Sequence, residues 1–142
     1  MDSELSWRDK RREASAAHAA ALEQRKAAET AQARALLAGF VQTMKDRGVE
    51  PQPLRAPVTG SGASYRTNVT GWYLRRNRSL GADPDGNFYI LATPASLKAR
   101  VLGVQLRPSD PPLVVGLGAR DGESMPLKEL LNLRLEDGDN QP

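Results

Sequence analysis

The stretch of residues 7–47 constrains the fold more than any other part of the chain. It contains no proline, and alanine, glutamate, glutamine, lysine and arginine dominate it. These residue types strongly favour α-helix. Ser6 offers an N-cap, and Gly48 suits the left-handed position that often ends a helix. The sequence therefore predicts one helix over residues 6–48, preceded by a disordered start at residues 1–5.

Such a helix is too long to fit within a domain built from the rest of the chain. It would measure roughly 60 Å, whereas a compact domain of the remaining residues is about 30 Å across. Large apolar residues at helical spacing cluster near its C-terminal end: Leu36, Leu37, Phe40, Val41 and Met44. We expect this third of the helix to dock on the domain and the alanine-rich remainder to be exposed.

The N-terminal part of the predicted helix is a candidate contact for a partner. Trp7 lies beside Arg8, Arg11 and Arg12, and an indole among cations suits RNA or an acidic protein surface. Self-pairing into a homo-oligomer and a solvated extension without a partner are the open alternatives, because an alanine face buries little area. His18, the single histidine, is expected on the solvated surface.

The remaining residues divide into three predicted regions. Residues 49–68 contain several prolines and glycines and predict a linker or an extended loop. Residues 69–136 are expected to form a small domain, and residues 137–142 an acidic, disordered tail. The predicted fold class is α+β, in which the long helix precedes an antiparallel or mixed sheet of about four strands with one or two covering helices.

A β-hairpin over residues 71–92 is the centre of the predicted domain. Its strands are expected at Val69–Arg76 and Phe88–Leu91, on either side of a turn at residues 83–86. The turn lacks the third oxygen ligand and the final glutamate of a calcium loop. Alternation along the first strand sends successive side chains to opposite faces. The predicted hairpin core consists of Trp72, Leu74, Phe88 and Ile90.

Two helices and two further strands complete the predicted domain. A short helix is expected from Pro94 to Arg100, with a strand at Ala99–Leu106 as the alternative. Strands are expected at residues 104–107 and 113–117. Ser124 is the predicted N-cap of the last helix. The apolar side of that helix consists of Leu127, Leu130, Leu131 and Leu133.

The positive charge is concentrated in the middle of the chain. The whole chain has a net charge of +3, but residues 55–107 carry eight basic and two acidic side chains, or +6. Exposed tyrosine and arginine on a sheet can stack on bases and contact phosphates. The candidate set for binding nucleic acid or another anion is Tyr65, Arg66, Tyr73, Arg75, Arg76 and Arg78. In the alternative interpretation, the tyrosines cover the core, and the arginines are solvated or face the acidic end of this chain or of a second copy.

Catalytic and metal sites are hard to build from this sequence. It has no cysteine and one histidine, which argues against a thiolate zinc site, a histidine-based metal site and a serine–histidine–acid arrangement. We predict no catalytic residues and no cofactor. A candidate small-ligand loop follows the predicted strand at residues 113–117 and leads into a helix N-terminus. Its candidate residues are Gly116, Gly118, Arg120 and Ser124.

These patterns favour a small non-enzymatic binding protein whose basic-aromatic face contacts nucleic acid, as RNA or a ribonucleoprotein. One alternative is an assembly subunit that uses the long helix against an acidic protein or a second copy, and another is a small-ligand-binding domain. No apolar run of about 18 residues is present, which argues against a membrane partner. The N-terminus also lacks the pattern of a signal peptide, so the expected location is the cytoplasm.

Overall fold

One long helix, α1 (Asp2–Asp46), begins the chain in the computed structural model, which describes residues 2–116 and 124–137. Residues 2–5, predicted to be disordered, belong to this helix. The backbone N–H of Gly48, which has φ +72°, donates a 3.0 Å hydrogen bond to the last turn. The bond satisfies a carbonyl that a helix end otherwise leaves unpaired.

Over residues 6–46, the buried side chains of α1 lie in its C-terminal third, as the apolar stripe predicts. The buried side chains of α1 are Ala33, Leu37, Phe40, Val41 and Met44. Residues 6–29 are exposed throughout. At 1.5 Å per residue, this exposed part of α1 is about 36 Å long.

Four strands follow in the order β1–β2–β3–β4, each antiparallel to its neighbour. They are β1 (Gln52–Pro57), β2 (Ser64–Tyr73), β3 (Leu80–Ala82) and β4 (Phe88–Ile90). The predicted α+β class is confirmed. Residues 49–68, predicted to form a linker or an extended loop, contain β1 and half of β2. The prolines of this segment favoured a linker or loop over a strand in the sequence prediction. Because β1 lies at the edge of the sheet, it tolerates residues that have no N–H to donate.

The sheet curls so that its two ends meet. Val58, directly after β1, forms a parallel bridge with Thr93, which follows β4. Hydrogen bonds of 2.9 and 3.0 Å join Thr93 to the residues on either side of Val58. Where a strand was predicted at residues 104–107, a single bridge joins Val104 to Thr67 in β2.

Four short elements complete the described chain: α2 (Leu97–Leu102), β5 (Val114–Gly116), β6 (Ser124–Pro126) and α3 (Leu127–Asp137). Helix α2 begins later than predicted because Ser96 provides its N-cap, with Oγ accepting from the Ala99 N–H over 3.2 Å. Ser124 was predicted to cap the last helix. It lies instead in β6, whose ladder with β5 fixes its backbone as extended.

Helix α3 covers the sheet beside α1. Leu127, Leu130 and Leu131 are buried as predicted, whereas Leu133 is 42% exposed. The helix continues through Asp137, where the acidic tail was expected to start, and residues 138–142 lie outside the described part. Every helix in the described ranges is too short or too polar to cross a membrane.

Both faces of the curled sheet carry buried side chains. One face carries Trp72, Leu74 and Phe88 against α1 and α3. The other encloses a second cluster that contains Leu54, Val69, Tyr73, Tyr89 and Leu91. The alternation predicted for β2 is therefore present, but Tyr73 is only 4% exposed because the sheet curls over it. Ile90 was predicted in the core and is 54% exposed, because it ends the edge strand β4 at the rim of the sheet.

Candidate anion-binding groove

A groove of about 590 Å³ lies between the β1–β2 hairpin and α2. Its polar lining consists of three arginines and three hydroxyl side chains: Arg55, Arg66, Arg100, Ser61, Ser64 and Tyr65. We call it the arginine groove. It brings together two predicted residues, Tyr65 and Arg66, and two that the sequence interpretation missed, Arg55 and Arg100.

Strand pairing places two of the arginines side by side. A register shift between Pro53 and Arg55 sets Arg55 directly opposite Arg66 in the β1–β2 ladder. Like charges at directly opposed positions destabilise a sheet. Arg55 is held by Ser64, to whose Oγ and carbonyl oxygen its guanidinium donates over 2.8 Å each. The groove therefore contains a fixed pair of cations that an anion would stabilise.

Hydrogen bonds to β2 hold α2 in place and so position the third arginine. The Tyr65 hydroxyl accepts from the Ser96 N–H over 3.0 Å, and Arg66 Nη2 donates to the Val101 carbonyl over 2.8 Å. Gly103, at φ +82°, ends α2 so close to β2 that an added Cβ would lie 3.2 Å from the Arg66 carbonyl oxygen. Arg100 is exposed, and its side chain has no hydrogen-bond or ion-pair partner within the described residues.

No carboxylate from the described residues lines the arginine groove. Residues 55–107, which we call the basic block, contain two acidic residues, Asp83 and Asp85, and both lie in the turn between β3 and β4. Asp83 Oδ2 accepts from the Tyr89 hydroxyl over 2.9 Å. Burial, and next this hydrogen bond to a carboxylate, raise the pKa of Tyr89 to about 12. The positive charge of the groove is therefore not neutralised by acids within its own lining.

The other predicted arginines lie outside the groove and contact their own chain. Arg75 donates to the Gly116 carbonyl over 2.9 Å. Arg76 donates to Asp137 over 3.0 Å, which agrees with the alternative that the basic block faces the acidic end of the chain. This hydrogen bond, and then the carboxylate charge, raise the pKa of Arg76. Arg78 Cζ lies 5.4 Å from the centre of the Tyr73 ring.

Tyr73 serves the structure rather than a surface. Its hydroxyl accepts from the Arg55 backbone N–H over 2.8 Å. Its carbonyl accepts from Nε of the buried Arg134, also over 2.8 Å. Both polar ends of the residue are thus engaged inside the fold, and stacking of Tyr73 on a base, as its predicted exposure implied, does not fit this position.

The missed arginines had only weak signals in the sequence. Arg55 lies between Leu54 and Ala56, which are both buried, and this alternation indicates a strand. The flanking prolines outweighed it in the sequence interpretation. Arg100 lies on a helix, 34 positions after Arg66 in the numbering, and no local pattern connects it to the sheet.

The remaining predicted residues are not part of the groove. Along α1, Trp7 is 58% exposed, and Arg11 Cζ lies 4.4 Å from its ring centre. Arg8, Arg12 and His18 are exposed, as expected. Of the candidate ligand loop, Gly116 ends β5 and Ser124 begins β6, while Gly118 and Arg120 lie outside the described residues.

Within residues 2–116 and 124–137, no group of three or more histidine, cysteine, aspartate or glutamate side chains could hold a metal ion. No protein-family model, curated protein or solved structure matches this chain. A functional assignment therefore rests on the chemistry of the arginine groove and its surroundings.

Proposed function

We propose that this chain is a small, non-enzymatic, cytoplasmic protein that binds nucleic acid, with RNA phosphates held in the arginine groove. One observation carries the proposal. Three arginines from three different elements converge on a groove that no carboxylate of the described residues lines.

The groove has the chemistry that recognises phosphate. A guanidinium presents several N–H donors in a fixed plane and pairs well with phosphate oxygens. Arg100 has these donors available. Arg55 and Arg66 are directly opposed in the ladder, where a bound anion would reduce the repulsion between like charges. Tyr65 and the two serines add neutral hydroxyl groups at the same wall.

Salt dependence gives the first test, by fluorescence anisotropy of a short labelled RNA. If about three phosphates are neutralised, log Kd should change with log salt concentration with a slope of roughly 2 to 3. Arg100→Gln should weaken binding for every sequence and reduce that slope by about 0.7 to 0.9. Because the Arg100 side chain makes no hydrogen bond or ion pair with the described residues, this substitution should leave thermal stability unchanged.

Lys128→Gln provides the matched control. It removes the same charge from an exposed position on α3 that does not line the groove, so RNA affinity should stay close to wild type. The proposal fails if RNA does not bind at low salt. It also fails if Arg100→Gln binds as tightly as the wild type, or if the two variants lose affinity equally.

A second candidate function is that of an assembly subunit which uses α1 against an acidic protein or a second copy. Exposure of every residue from 6 to 29 favours it, because a helix segment without a buried side chain leaves its surface available to a partner. Trp7 is the largest exposed apolar side chain there. Removal of this segment, described below, distinguishes the assembly function from RNA binding in the groove.

A further inference from the structure

Helix α2 turns apolar side chains to the solvent. Leu97 is 81% exposed, Val101 69% and Leu102 65%, and none of the six residues of this helix is buried. Caps and hydrogen bonds to β2, rather than a packed apolar face, hold the helix in position. Its apolar side chains therefore do not serve the core.

Helical geometry places two of these side chains beside the arginine groove. Successive residues of an α-helix are rotated by about 100°. Leu97 and Val101, one turn apart, are therefore neighbours of Arg100, which lines the groove. We call Leu97 and Val101 the apolar ridge. Leu102 is rotated by about 200° from Arg100 and faces away from the groove.

We infer that the arginine groove and the apolar ridge together bind single-stranded nucleic acid, with phosphates in the groove and unstacked bases on the ridge. This inference rests on the proposed function. A duplex keeps its base faces stacked inside, so the ridge can contact bases only where a strand is unpaired. A cationic groove and two exposed apolar side chains on the helix that carries Arg100 match the two chemical parts of such a strand.

Charge argues against a second copy of the chain as the occupant of this surface. Pairing α2 with its counterpart would bring Lys98, Arg100 and the groove arginines of one copy towards those of the other. No carboxylate of the described residues lines the groove to offset this repulsion. An anionic partner avoids this repulsion and is attracted by the same positive charges.

The test compares one RNA as a single strand and as a duplex, with the full chain and three variants. Leu97→Ser and Val101→Ser should each weaken single-strand binding by roughly fivefold and leave duplex binding unchanged. Leu102→Ser is the matched control and should change neither. Because α2 has no buried residue, far-UV circular dichroism and thermal unfolding should be the same for all four proteins.

The outcomes separate this inference from the proposed function. Equal binding of both RNA forms, with no effect of Leu97→Ser, overturns the role of the ridge and leaves binding in the groove intact. If the wild-type protein binds neither RNA form, both the proposed function and this inference are overturned. In a parallel arm, sedimentation with vesicles that contain anionic phospholipid identifies a membrane contact. If Leu97→Ser prevents sedimentation but does not affect RNA, the ridge binds lipid and the inference is wrong.

Discussion

Two glycine-to-alanine substitutions should change stability in opposite directions. In β2, a Cβ added at Gly71 would lie 2.0 Å from the Ala82 carbonyl oxygen and 2.9 Å from Cα of Asp83. Both are backbone atoms, so rotation of a side chain cannot relieve the clash. In α1, a Cβ added at Gly39 would meet nothing within 4 Å.

The expected magnitudes follow from these surroundings. Overpacking of a core costs about 1 to 3 kcal/mol, and a clash that displaces β3 from β2 should cost at least about 3 kcal/mol. Small domains have only about 5 to 15 kcal/mol of total stability. Gly39→Ala should instead stabilise the protein by about 0.5 to 1 kcal/mol, because alanine loses less backbone freedom in a helix.

Urea unfolding followed by circular dichroism and tryptophan fluorescence measures both effects. Trp72 is buried, and its indole N–H donates to the Val49 carbonyl over 3.0 Å, so its emission reports loss of the core. Gly81→Ala is an intermediate case, since its nearest contact is the movable Leu54 Cδ1 at 2.7 Å. A loss below about 1 kcal/mol for Gly71→Ala, or destabilisation by Gly39→Ala, would refute this account of the packing.

Two further predictions concern alkaline stability and assembly. Because the pKa of Tyr89 is raised from 10.0 to about 12, its contribution to stability is complete below pH 10 and is lost as the pH rises towards 12. Relative to Tyr89→Phe, the wild type should lose about 2 to 3 kcal/mol over that range, measured by urea unfolding at successive pH values; parallel pH profiles would exclude this role. Deletion of residues 1–29 removes no buried side chain described here, so the unfolding temperature should hardly change. Light scattering should show a smaller assembly if α1 mediates self-association. An unchanged oligomeric state combined with normal RNA affinity would exclude residues 1–29 from self-association and from RNA binding.

The helix α1 illustrates what local sequence can specify. A helix forms its hydrogen bonds within one segment, so composition, capping and apolar spacing predicted its end near Gly48 and its docked stripe. The turn at residues 83–86 was predicted for the same reason, because its structure depends on residues that are close together in the sequence. Side-chain alternation on β2 also follows from strand geometry alone.

Strand pairing and the groove depended on contacts between distant parts of the chain. Residues 52–57 form a strand because β2 supplies partners for them, and their prolines are tolerated because β1 is an edge strand of the described sheet. Tyr73 alternates as predicted, but whether its face is covered depends on the closure between Val58 and Thr93. A pattern of period two identifies two faces and does not indicate how many of them are buried.

The sequence by itself thus determined the long helix, the α+β class and a basic middle region. Only the tertiary structure selected Arg55, Arg66 and Arg100 from that region and directed Arg75 and Arg76 to partners in their own chain. The physical reason is that the net charge of a region does not depend on where its residues lie in the fold. A binding groove, in contrast, requires side chains from separate elements to point into one space.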